Sequence, residues 1–425
     1  MEIGESKQFN KCLLKILIFL MIFTGSANTI FIKIFQKYNW KKRKEKIYEN
    51  HQWLIIHGMF FGEFISVFYY AYKVIKGKNQ LRQNQGDTPE QPLVKKSGEK
   101  PPIPTNLFFA ITAGADILGS TMNIYGLTYL NSSIYQVMRT LELVSICILN
   151  KIILKNPIYI HNILGIFFIM FGIFIFGISE WYVEEKYIRE PLRALFGILL
   201  LCISQFFTSL AYIFQEMFIK KYNVHPSQLV GFEGLWGLLP YTILLIIFQF
   251  ISCDNWSKHL KEGICSQNED GHFHMEDSKY AFTQMKGKPG MLIIYIFYII
   301  STCFYNIVGI NLTKLVSSTA RVVVDSIRSF FIWLFFLFYP NENIKEEFNF
   351  VQIFGFCFLI IGNLIYNEII VLHFCELDYF TRDNIFKRKK EEEKDKMIVK
   401  NEDEKLYLSV DGKDFSGCEE KNNKD

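Results

Sequence analysis

Arg321, Asp325 and Arg328 stand at i, i+4 and i+7 within the stretch Leu315–Trp333. On a helix those positions share one stripe. Every neighbour is apolar, small or aromatic, and the stretch contains no turn residue. A charge at bilayer depth costs about 3 kcal/mol or more, so such residues face a protein interior or a wet cavity. Two readings follow. Asp325 neutralises one arginine and the charges lock the helix, or the leftover positive charge meets an anionic ligand in a polar cavity.

A second stripe, Tyr135, Arg139 and Glu142, has the same spacing earlier in the chain. Further polar residues inside apolar runs are Asn28, Thr29, Glu63, Asp116, Asn123, Gln215, Glu216 and Glu233. Glu63 lies in G-M-F-F-G-E and Glu233 in G-F-E-G-L-W-G, where the glycines permit close helix approach. The two glutamates suit either an interhelical hydrogen bond or a proton relay. Glu216, Lys33 and Lys37 fall near helix ends, where snorkelling to the interface suffices. The chain carries no phosphate loop, metal-ligand cluster or nucleophile elbow. His259, His272 and His274 share one polar loop that reads as solvated. No CxxC pair occurs among the 9 cysteines.

The elements that position these residues are apolar. Half of the 425 residues are hydrophobic, 42 of them Phe, and the net charge of +4 is small. Apolar runs of about 20 residues, the length that crosses a bilayer, recur about ten times. They are Leu13–Phe35, Trp53–Ile75, Asn106–Tyr125, Ser132–Leu154, Ile158–Trp181, Ala194–Phe218, Gln228–Phe250, Met291–Thr313, Ser317–Tyr339 and Val351–Val371. The chain therefore divides into an N-terminal segment (1–12), two helical units (13–181 and 194–371) and a charged tail (376–425) whose composition predicts disorder. Loops 76–104 and 254–289 interrupt the units. Charges gather in loops and tail, which is membrane-protein behaviour and argues against a nucleic-acid face.

The halves repeat. T-x-L-x-S-S occurs at Thr128–Ser133 and at Thr313–Ser318, each time entering a span. Val137 and Val322 keep the same offset. I-x-G-x-x-F-x-x-x-G follows as Ile163, Gly165, Phe168 and Gly172, then as Ile353, Gly355, Phe358 and Gly362. By this register Gln136 and Thr140 correspond to Arg321 and Asp325. Five spans per unit is odd, so the second unit crosses in the opposite sense, an inverted-topology repeat common in secondary transporters.

These residues resemble the drug/metabolite transporter superfamily. More narrowly, they look like the F-type branch of solute carrier family 35, kin to nucleotide-sugar transporters and distantly to the chloroquine-resistance transporter. Gly58–Phe64, Leu130–Arg139, Ala211–Gly237 and Ser318–Trp333 carry the resemblance, most specifically T-x-R-V-V-V-D-S-I-R-S. It implies an all-α polytopic membrane protein of ten helices in two inverted five-helix repeats. It also implies cytosolic termini, a central substrate cavity and an internal membrane such as Golgi, lysosome or vacuole. Asp116, Gln136, Arg139, Glu233, Arg321, Asp325 and Arg328 match family-pattern positions, while Glu142 stands where a neutral residue is expected.

The expected function is a secondary transporter, not an enzyme, moving a small anionic or zwitterionic metabolite by alternating access and needing no cofactor. The expected cavity residues are Asn28, Glu63, Asp116, Tyr135, Gln136, Arg139, Glu142, Gln215, Glu233, Arg321, Asp325 and Arg328. Expected partners are the metabolite and the lipid bilayer, with no nucleic acid; proton coupling and a homodimer stay open. Nucleotide-sugar/nucleotide antiport is an alternative, with Tyr135, Tyr305 and Trp333 as aromatic platforms. A non-transporting scaffold or sensor, docking through its tail, is another. In the family's orientation loop 254–289 is lumenal, where disulfides form, and Cys253 and Cys265 are its candidate pair. The sequon Asn255-Trp256-Ser257 lies beside them, close to the bilayer.

Overall fold

The computed structural model describes residues 2–37, 51–84, 105–130, 132–155, 158–183, 191–256, 264–267, 271–340 and 349–366, with scattered positions over 368–392. The helices are α1 (Glu2–Lys37), α2 (Gln52–Asn84), α3 (Thr105–Tyr129), α4 (Ser132–Arg139), α5 (Leu141–Leu149), α6 (Ile160–Val183) and α7 (Pro191–Lys220). They continue as α8 (Pro226–Phe248), α9 (Ser278–Gly287), α10 (Pro289–Leu315), α11 (Ser318–Leu337) and α12 (Phe350–Tyr366). Among the described residues, 6 helices are long and apolar enough to cross a membrane: α1, α2, α3, α7, α8 and α10.

The difference from about ten expected spans has local causes. The run Ser132–Leu154 is not one helix: it breaks at Thr140 between α4 and α5 and ends in a π-turn, Asn150–Leu154. α11 is long enough but carries Arg321, Asp325 and Arg328. α12 spans 17 residues, and on α6 the apolar segment is the shorter Ile160–Ile175. Other boundaries move too. α1 starts at Glu2, ahead of Leu13, and α2 runs on through Lys76 to Asn84. Loop 254–289 contains a hairpin, β1 (Ser266–Gln267) with β2 (Phe273–His274), and the helix α9. The tail expected to be disordered lies mostly outside the described residues.

The helices pack as α1 on α10, α2 on α8, α3 on α7 and α6 on α12. Smaller contacts join α1 to α11, α5 to α7, α2 to α10, α3 to α8, and α11 to both α4 and α5. Replacing each helix by its counterpart five spans later or earlier returns this same set of pairs.

Glycines let the pairs close. A Cβ at Gly231 would overlap Val67, one at Gly234 would overlap Glu63 and Phe64, and one at Gly237 would overlap Phe60. The sequence G-F-E-G-L-W-G is thus the face of α8 that meets α2. On α6 a Cβ at Gly172 would stand 2.7 Å from Gly355 O, and one at Gly362 on α12 would stand 2.7 Å from Gly165 O. Phe168 stacks on Phe358 with ring centroids 6.0 Å apart. The two copies of I-x-G-x-x-F-x-x-x-G therefore pack on each other, antiparallel. Tyr295 and Tyr298 of α10 donate to the carbonyls of Leu54 and Ile55 at 3.1 and 3.0 Å, tying α10 to α2.

Candidate functional site

The start of α11 is capped twice. Ser317 Oγ accepts from Ala320 N at 3.1 Å. Glu216 of α7 accepts from Ser318 N at 2.7 Å and also from the Ser318 hydroxyl. A carboxylate here meets the orphan N–H groups and positive end of the helix. Glu216 is 2% exposed, so it does not snorkel; Lys220, which bonds it at 2.6 Å, also reaches Val316 O at 2.8 Å. The S-S pair of the repeated motif and Glu216 together fix the helix that presents the charge stripe.

That stripe separates into two networks. Asp325 Oδ2 accepts from Arg328 at 2.9 Å and from Arg139 at 3.1 Å, while Tyr305 donates to Oδ1 at 2.7 Å. One carboxylate thus serves two guanidiniums that lie far apart in the sequence. Arg321 is held differently. Its guanidinium lies 4.0 Å over the Tyr212 ring and donates to Gln215 Oε1 at 2.9 Å and Asn306 Oδ1 at 3.2 Å. Each amide passes its NH2 onward, Gln215 to Glu233 Oε2 at 2.8 Å and Asn306 to Glu63 Oε1 at 2.9 Å. The result is a chain, Glu63–Asn306–Arg321–Gln215–Glu233, drawn from α2, α10, α11, α7 and α8. Of the two expectations for Glu63 and Glu233, the interhelical hydrogen bond is present, and its partners are side-chain amides.

A cavity lies at the meeting of these helices. Asn28, Glu63, Asp116, Tyr135, Arg139, Gln215, Glu233 and Arg328 line it. Arg321 does not; it stands behind Gln215 and Asn306. Asp325 and Glu142 line a smaller adjoining pocket with Arg139 and Arg328. The expected cavity set is corrected accordingly: a residue that holds a wall side chain need not itself face the opening. The Gln136 side chain lies outside the described residues. Ser120, Asn123, Thr208, Tyr212, Thr302 and Asn306 complete much of the polar wall. Asn306 was findable in the sequence as an amide inside an apolar run.

Of the proposed aromatic platforms, Tyr135 and Tyr305 line the cavity and Trp333 does not. Trp333 is buried against Phe356 and donates to Gln352 at 3.0 Å. Cys253 and Cys265 are joined in a disulfide. Beside them Asp254 accepts from Phe273 N at 2.8 Å and contacts His272 at 3.1 Å. The Phe273 N–H, then the His272 and Ser252 side chains, hold the Asp254 carboxyl below its usual range. Among the described residues no group of His, Cys, Asp and Glu side chains has the arrangement of a metal site.

A multi-pass helical bundle around a charged internal cavity is the build of a membrane transporter. Residues 89–370 match the model of the UAA transporter family, and the chain belongs to that family. It is 28% identical over 351 residues to human solute carrier family 35 member F6, covering 82% of this chain and 87% of that one. The rat counterpart is 26% identical over 351 residues, with the same coverage. An uncharacterized protein of Schizosaccharomyces pombe is 28% identical over 352 residues, covering 83% of this chain and 96% of its own. A solved crystal structure shares the fold, with a TM-score of 0.52 at 10% identity over 84% of this chain and 96% of that one. Members of this family are transporters, not enzymes.

Proposed function

We propose that the chain is a secondary transporter that moves a small anionic or zwitterionic metabolite across an internal membrane by alternating access. Two five-helix repeats of opposite topology, residues 13–181 and 194–371, form the cavity between them. The carrying observation is that arginines and carboxylates from both units wall one cavity. The exchange-invariant helix pairing and the antiparallel meeting of the two glycine motifs support the inverted repeat. Glu63, Glu142 and Glu233 are the residues that would carry protons if transport is proton-coupled. Uptake and exchange by proteoliposomes across a metabolite panel tests the reading; absence of flux for every compound, from protein shown to be folded, rejects it.

Nucleotide-sugar/nucleotide antiport is the second reading. Its support is the pair of tyrosines, Tyr135 and Tyr305, on the cavity wall, surfaces on which a base can stack. Nucleotide-dependent trans-stimulation of flux distinguishes it from the first.

A further inference from the structure

The cavity wall is bipolar. Arg139 and Arg328 stand together, sharing the single carboxylate Asp325. Glu63, Asp116 and Glu233 stand on the same cavity, and Arg321 reaches the two glutamates only through neutral amides. An amide passes on a hydrogen bond but supplies no counter-charge.

The two glutamates are incompletely used. Glu63 is 5% exposed and Glu233 2% exposed. One oxygen of each is held, by Asn306 and Gln215 respectively, while Glu63 Oε2 and Glu233 Oε1 are buried with no hydrogen-bond partner among the described residues. A buried carboxylate oxygen left without a donor is destabilising, the more so where it is charged. The two glutamates come from closely packed helices, because Gly234 packs directly on Glu63. An ammonium brings three N–H donors and one positive charge, which suits two carboxylates on one cavity wall that each have an oxygen lacking a donor.

We propose that Glu63 and Glu233 form a binding site for a cationic amine, and that the transported solute is a zwitterion with its amine there and its anionic group toward Arg139 and Arg328. The proposal rests on the transport reading for the word "transported" but not for the site. Asp116, whose Oδ1 accepts from Ser120 at 2.9 Å, stands on the same wall. The solute is thereby fixed at both ends, and a purely anionic analogue would leave the glutamate oxygens unsatisfied and add repulsion.

The test uses the purified full chain and matched triples: each standard amino acid, its decarboxylated amine and its deaminated acid. Binding is read by thermal stabilisation and transport by proteoliposome uptake. The expected result is that amino acids bind most tightly, that amines bind measurably, and that Glu63→Gln and Glu233→Gln each weaken amino-acid binding about ten-fold or more, the scale of one charged hydrogen bond. Both variants keep an oxygen for Asn306 or Gln215, and the selectivity of the unaltered protein is an independent readout. Amine-bearing probes that bind without being moved reject the transport reading and keep the site. Preference for the deaminated acids, or failure of every amine-bearing probe to bind, overturns the site, whether or not anions are transported.

Discussion

Arg321 and Asp325 stand one turn apart on α11, yet the carboxylate bonds Arg139 and Arg328 while the Arg321 guanidinium bonds two amides. An i, i+4 charge pair is the default partnership on a helix. Here the partners across the bundle win, because Arg139 comes from α4 and Tyr305 from α10 to the same carboxylate.

Asp325→Asn leaves two buried guanidiniums sharing a neutral amide. Removing one member of a buried charge network costs about 3–5 kcal/mol. The expected outcome is poor yield and a lowered melting temperature in detergent. A stable, monodisperse Asp325→Asn protein would contradict the shared-carboxylate assignment.

Arg321 and Arg328 should behave differently from Asp325. We expect Arg321→Ala and Arg328→Ala to abolish flux while the protein still reaches its membrane. Arg321→Lys should fail as well, since one ammonium cannot reproduce the planar fork that reaches both Gln215 and Asn306. Normal transport by both alanine variants would remove these residues from the function.

Glycine substitutions separate packing from chemistry. Gly172→Leu and Gly237→Leu should each lower stability by about 1–3 kcal/mol through overpacking at α6–α12 and α2–α8. Gly114→Ala is the control, because no described residue stands within 4 Å of its missing Cβ. Melting curves of the three variants decide this, and equal behaviour would deny the close helix approach.

The loop joining α8 to α10 offers a redox and a pH readout. Cys253→Ser opens a bridge of sequence separation 12, and its loss should cost up to about 3 kcal/mol in the chain-entropy description. Mass spectrometry of alkylated, non-reduced protein should show neither thiol free. Asp254 titrates below its usual range, so its contribution to loop order is present above the unfolded carboxyl value and fades as pH falls through the lowered folded one. Acid should therefore increase proteolysis of this loop, and Asp254→Asn should remove that dependence.

The inverted repeat is tested by geometry alone. Single cysteines at Ser133 and Ser318 should label from opposite sides of the membrane. Labelling from one side only would end the two-repeat reading.

The sequence by itself determined where the apolar runs lie, which polar residues interrupt them, and that two motifs recur in the same order in both halves. Those are local properties, set by bilayer length and residue type. The tertiary structure alone decided which charges meet. The Arg139–Asp325 bond joins residues 186 positions apart, and such a contact depends on how each helix is rotated and where it bends. The break at Thr140 and the burial of Glu216 are examples, and neither is written in hydropathy. The same physics demoted Arg321 from the cavity wall to its support, and left Glu63 and Glu233 each with one oxygen unclaimed.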